Sequence, residues 1–133
     1  MVEVGTVSKE LIVALKVMLK SANWKIQQAE DRDFKTWFPV MSDINIKDYG
    51  EITNAFFLCL PPGGRLHKHI DTPRVERTFH IPVKTNKDAL SYDQGTSSHA
   101  KVGNVYEIDR SVEHWAVNNG KADRIHLIIE CLT

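Results

Sequence analysis

The chain has 133 residues, 42% hydrophobic and 26% charged, which predicts one globular domain with a core of its own. Lys+Arg and Asp+Glu balance at 17 each, so no polyelectrolyte field is present to make nucleic acid or an anionic membrane a main partner. The start is unlike a signal peptide, no apolar run approaches the roughly 18 residues of a membrane span, and Cys59 and Cys131 read as buried thiols rather than a disulfide, so the expected compartment is the cytoplasm.

No repeat, low-complexity tract or linker interrupts the chain. Ser8 caps a predicted helix through SKELIVALKVMLKSA (residues 8–22), where Leu11, Leu15, Met18 and Leu19 form one stripe with Ile12 beside it. Residues 23–50 mix charge with Trp24, Phe34, Trp37 and Phe38, and predict a strand or two with irregular connections. ITNAFFLCL then reads as a buried strand ended by PPGG, a strong turn signal. RLHKHID, ERTFHIPVKT, KVGNVYEID, EHWAVNN and DRIHLIIECL follow as strands, with turn-rich pieces such as SYDQGTSS and NNGKAD between them. One helix and six or more strands without β-α alternation predict a mainly β fold, an antiparallel sandwich or jelly roll, with another Greek-key barrel as the competitor. The β core is placed at about residues 36–133 of a single 1–133 domain, with the helix packed on it.

HKHID raises a metal question. In a strand alternate side chains share a face, so His67, His69 and Asp71 project the same way, roughly 7 Å apart per pair. A further ligand must come from elsewhere, and SVEHWAVNN offers His114. Two imidazoles and a carboxylate leave open positions that suit non-haem Fe(II) and oxygen chemistry. H-x-D alone also occurs by chance on surface strands. The cupin pattern fits in part, through His67, His69, His114 and Asn118, but its Glu is displaced: Glu76 lies seven residues past His69. His99, in a polar loop, reads as solvated.

PPGGRLHKHID, FHIPVKTN, GNVYEID and HWAVNNGKADRIHLIIE, in this order across residues 61–130, resemble the aspartyl/asparaginyl β-hydroxylase family of Fe(II)- and 2-oxoglutarate-dependent oxygenases. The resemblance implies a double-stranded β-helix, the cupin-like jelly roll, with iron near one open end. It implies His69 and His114 as iron ligands, with Asp71 in the carboxylate position of the wider superfamily, a position the animal members leave without a carboxylate. Arg124, ten residues past His114, matches the arginine that pairs with the far carboxylate of 2-oxoglutarate. A guanidinium fork suits that task and a lysine does not. His80 matches a pocket histidine in an R-x-H-I-P motif and a contact to the cosubstrate. Here the chain departs, with Thr78 at the arginine position and Arg77 one residue earlier, so either a bulge restores Arg77 to the pocket or another group replaces it. Asn118 is expected to support the strand of His114, and His126 either borders the pocket or is a satisfied core histidine. Tyr106 and Trp115 are expected in the core.

The implied activity is a dioxygenase that consumes 2-oxoglutarate and O2 and hydroxylates an unactivated C–H bond of a small molecule or peptide, with an Asp or Asn residue as the family's namesake. Arg65, Lys68, Arg74, Arg77, Lys84 and Lys87 form a basic rim that favours an acidic substrate, unless they are ordinary solvated charges. The alternative function is a cupin-like metal protein that does not use 2-oxoglutarate. An edge strand is free to pair with a second copy or to be covered by the N-terminal segment, which leaves the oligomeric state open.

Overall fold

The computed structural model describes residues 1–133. Its strands are β1 (Val2–Thr6), β2 (Lys25–Ala29), β3 (Arg32–Trp37), β4 (Glu51–Leu60), β5 (Arg65–His69), β6 (Arg77–Lys84), β7 (Ala89–Asp93), β8 (Thr96–Ser98), β9 (Asn104–Ile108), β10 (His114–Asn118) and β11 (Arg124–Leu132). One helix, α1 (Lys9–Leu19), lies between β1 and β2. The sheet runs β1-β9-β6-β11-β4-β3-β5-β10-β7-β8, with β2 paired to β3. All pairings are antiparallel. Within this order β9-β6-β11-β4 and β5-β10-β7-β8 are the two four-stranded halves of a double-stranded β-helix, and β3 bridges them. The jelly-roll expectation therefore holds, and the fold is mainly β with one N-terminal helix.

The Ser8 hydroxyl accepts the Leu11 N–H at 3.1 Å and starts α1 as expected. The helix ends at Leu19, not 22, because Lys20, Ser21 and Ala22 donate to carbonyls three residues back and tighten the chain into turns. The β core also begins before residue 36. β1 covers the free edge of β9, and β2–β3 form a hairpin. β1 has no strand signature in the sequence, because an edge strand with Val2 and Val4 exposed and a register shift near Gly5 carries no clean alternation. SYDQGTSS is not a connector but the β7–β8 hairpin, turning through Gln94 and Gly95, both at positive φ.

Apolar packing is split between the two faces of the sheet. Phe57, Cys59, Phe79, Ile81, Val83, Ile125, Leu127 and Ile129 point outward under Ile12 and Leu15 of α1 and form the larger core. Inside the barrel Leu58, Leu60, Ala116 and Ile128 form a smaller buried cluster, with the half-buried Phe34, Phe56 and Leu66 packed against it. Beside this cluster the interior carries polar groups, including Thr78, His80, Ser91, His114, Asn118, Arg124, His126 and Glu130, all buried. Along β11 the alternation is therefore apolar outward and polar inward, because the helix covers the outside. Cys59 and Cys131 are free buried thiols, and burial pushes Cys59 up to about 11. No helix is long and apolar enough to cross a membrane.

The PPGG corner delivers β5 to the barrel mouth. Gly63 sits at φ +79° and donates to the Asn118 carbonyl at 2.8 Å, while Asn118 N–H donates to the Gly64 carbonyl at 2.9 Å. A side chain at Gly64 would collide with Pro61 and the Asp33 carbonyl. The Asn118 amide, fully buried, donates to the carbonyls of Leu60 and Ala122 at 2.8 and 2.9 Å. It ties the corner to the end of β10, four residues from His114.

Candidate metal centre

His69 ends β5 and His114 begins β10, and the two are ladder partners. Between them and the next pair, Leu66 with Ala116, β5 has two residues where β10 has one, a β-bulge. The bulge overturns the simple alternation read from HKHID. Leu66 and His69 face the cavity together, while the His67 ring packs beside His69 with a centroid distance of 5.2 Å. His67 contributes its carbonyl instead, which accepts the His69 Nδ1–H at 2.7 Å. His114 repeats the device: its Nδ1–H donates to the Val112 carbonyl at 2.8 Å. Both rings thereby turn Nε2 inward. Asp71 lies past the end of β5, and its carboxylate approaches His114 Nε2 at 3.1 Å and His69 Nε2 at 3.5 Å.

The three ligand atoms lie within 4.8 Å of one another. Two inward-facing imidazole nitrogens and a carboxylate oxygen at this spacing leave their lone pairs facing one another unless a cation sits among them. The donor set therefore fits a metal ion. Without one, a proton takes that role. The hydrogen bond from His114 holds the Asp71 carboxyl below the usual carboxylate range. Burial works against a charged His114, yet Asp71 and the Val112 carbonyl outweigh it and raise that imidazole's pKa.

The triad opens into a cavity of about 310 Å³ that also holds Arg124 and His80. Arg124 is 3% exposed, donates only to Ser91 Oγ at 3.3 Å, and has no carboxylate within ion-pairing distance. Burial pulls its pKa down to about 9. His80 and His126 meet Nδ1 to Nδ1 at 3.1 Å, so one donates and the other accepts, and both are neutral. Burial, helped by Arg124, depresses both, His80 to about 3 from an ordinary 6.5. His126 is thus a buried partner of His80 rather than part of the cavity lining. Because the unfolded chain binds these protons near pH 6.5 and the folded chain does not, stability is expected to fall as pH drops below about 6.5, by up to about 1.4 kcal/mol per pH unit for each histidine. Denaturant unfolding at pH 7, 6 and 5 checks this; the slope should be shallower in His126→Gln, and equal slopes would contradict the neutral pair.

Other expected residues fall elsewhere. Arg77 points away from the cavity and forms a two-pronged ion pair with Glu107 at 2.6 and 2.7 Å, so no bulge returns it to the pocket. Arg110 reaches the Thr78 position instead, donating to its hydroxyl at 3.1 Å. Of the supposed basic rim only Arg74 lines the cavity, paired at 2.7 Å with buried Glu130. Arg65 donates to the Glu30 carbonyl and Lys68 lies over Trp115. Trp115 is half-buried and stacks on Tyr92 rather than entering the core, whereas Tyr106 is buried. His99 is half-buried and bonds the Ala89 carbonyl. Sequence reasoning missed Ser91, Arg110 and Glu130. For Glu130 the signal existed, since it continues the inward alternation of Arg124, His126 and Ile128.

A model of the aspartyl/asparaginyl β-hydroxylase family matches residues 15–133. The chain belongs to this family. Family membership and the His69–Asp71–His114 triad support an oxygenase, a hydroxylase, built on the Fe(II)/2-oxoglutarate-dependent oxygenase fold. Among curated proteins no sequence match is found. In structure the chain resembles an oxidoreductase of the 2OG-Fe(II) oxygenase family from Burkholderia pseudomallei, with a TM-score of 0.69 and 10% identity over 92% of this chain and 79% of that one. It also resembles the cupin domain of Cnp3 from Schizosaccharomyces pombe (TM-score 0.61, 14% identity, 86% and 72% covered). A predicted oxalate decarboxylase from Thermotoga maritima is a further match (0.58, 16%, 84% and 95%). At these identities the likeness is one of fold.

Proposed function

We propose that this family member is an Fe(II)- and 2-oxoglutarate-dependent hydroxylase of an unactivated C–H bond, with residues 1–133 acting as one oxygenase domain. One observation carries the reading: a His/His/Asp donor set and a buried guanidinium without a counter-ion share one cavity. Two imidazoles and a carboxylate with open positions suit Fe(II). Bound iron, with 2-oxoglutarate and O2, supplies the oxidation that yields succinate and CO2 and places oxygen on the substrate carbon.

The chain's own residues do the rest. His69, Asp71 and His114 hold the ion, with the imidazoles oriented by backbone carbonyls. Arg124 takes the far carboxylate of the cosubstrate as a charge-assisted pair, its guanidinium steered by Ser91. His80, neutral and fixed by His126, offers the polar contact nearer the metal. Phe34, Phe56, Leu58, Leu66 and Ile128 line the space and keep water from it. Arg74, 49% exposed and paired with buried Glu130, is the one residue of the expected basic rim at the cavity, and it supports a substrate bearing a carboxylate, such as a small acid or an acidic peptide segment. The alternative of a cupin-like metal protein without this cosubstrate leaves Arg124 without a counter-ion.

Anaerobic titration with Fe(II) and then 2-oxoglutarate tests the proposal. A visible charge-transfer band is expected only when both are present, and not in His69→Ala. Succinate release on admitting O2 then reports turnover. Folded, iron-loaded protein that binds no 2-oxoglutarate would sink the reading.

A further inference from the structure

The carboxylate of the triad is the one ligand that no strand positions. β5 stops at His69, and Asp71 sits in the connection to β6. What holds it is the loop between β9 and β10. The Asp71 N–H donates to the Arg110 carbonyl at 3.1 Å. The Arg110 guanidinium then reaches back over the same connection, donating to the Thr72 carbonyl and to Thr78 Oγ1, each at 3.1 Å. The nitrogen that donates to Thr78, Nη1, also lies 3.9 Å from Glu130 Oε2, the oxygen that receives Arg74 from further along the connection, while the buried Nε has no hydrogen-bond partner. Glu130 is itself buried and fixed by the Asn54 amide at 3.1 Å. The loop carrying Arg110 is stiffened in turn, since Asp109 Oδ1 accepts from both the N–H and the hydroxyl of Ser111.

We propose that Arg110 is a positioning residue for the metal carboxylate: it clamps the Asp71 connection to β6 and β11 and so sets metal affinity without touching the metal. The proposal rests on His69, Asp71 and His114 being metal ligands. A planar guanidinium suits the task, because its two terminal nitrogens donate to the connection and to β6 while its charge lies near Glu130 of β11, which a lysine's single ammonium does not reproduce. The same β9–β10 loop supplies the Val112 carbonyl that orients His114, so one short loop governs two of the three ligands.

Anaerobic titration with Co(II) alone, followed by its visible spectrum, separates this role from a general structural one. Arg110→Ala is expected to weaken Co(II) binding by about 10- to 100-fold, with Arg110→Lys recovering little of it. Its Co(II) bands should move toward those of Asp71→Ala. In an Asp71→Ala background, Arg110→Ala should cost less than about twofold more, because its effect runs through Asp71. Equal losses in both backgrounds would overturn the proposal, as would wild-type affinity in Arg110→Ala. Should Arg110→Ala fail to fold, Glu130→Gln, which removes the anchoring charge but keeps the shape, is read in the same cycle with the same criteria. A wild type that binds no Co(II) would overturn the metal-site reading as well; intact binding in wild type and Arg110→Ala alike would overturn this proposal alone.

Discussion

Arg124→Met is expected to weaken 2-oxoglutarate binding by about 30-fold or more, leave metal binding intact and stabilise the cosubstrate-free protein. The wild-type guanidinium is buried with one neutral hydrogen-bond partner and no counter-ion. Placing an unpaired charge in such a site costs several kcal/mol, and a methionine of similar length removes that cost while filling the space. Losing one partner of a buried charge pair costs about 2–5 kcal/mol, so cosubstrate affinity should fall by about 30- to 4,000-fold. Arg124→Lys should fall nearly as far, since it keeps the charge but loses the fork. Thermal unfolding with and without 2-oxoglutarate shows both effects. At a ligand concentration of 100 times the wild-type Kd the wild type gains about 2.7 kcal/mol, and the methionine variant should gain less than about 1 kcal/mol while starting from a higher Tm. A variant that still binds 2-oxoglutarate with wild-type affinity would remove Arg124 from the site.

His114→Ala should lose metal binding by more than about 100-fold and lose turnover with it, whereas His67→Ala should keep metal affinity within about twofold. Only the first ring points Nε2 at the donor set; His67 orients His69 through its backbone carbonyl, which substitution leaves in place. Metal content after anaerobic loading and dialysis distinguishes the two. Equal losses would mean that the β5 bulge does not hold in solution and that HKHID presents both histidines to the ion.

The jelly roll was legible because its middle strands are long, apolar and separated by strong turns, as in ITNAFFLCL-PPGG. The outer pieces were less so. β1 is a short exposed edge, and the β7–β8 hairpin is too polar to stand out from a loop. His69, Asp71, His114 and Arg124 stood out by residue type and order, and the fold brings all four to one cavity. The route to them differed from simple alternation, because a bulge moved His67 aside and Asp71 left the strand altogether.

By itself the sequence determined the class of fold, the family and the residues able to hold a metal and a carboxylate. These follow from local pattern and chemical type, which short stretches carry. Which arginine enters the cavity was decided only in three dimensions. Arg77 and Arg110 are equally arginine in the text, yet Glu107 draws one to the outer surface, while Thr72, Thr78 and Glu130 gather the other beside Asp71. That choice depends on contacts between residues some 20 to 40 positions apart, so no window along the chain contains it.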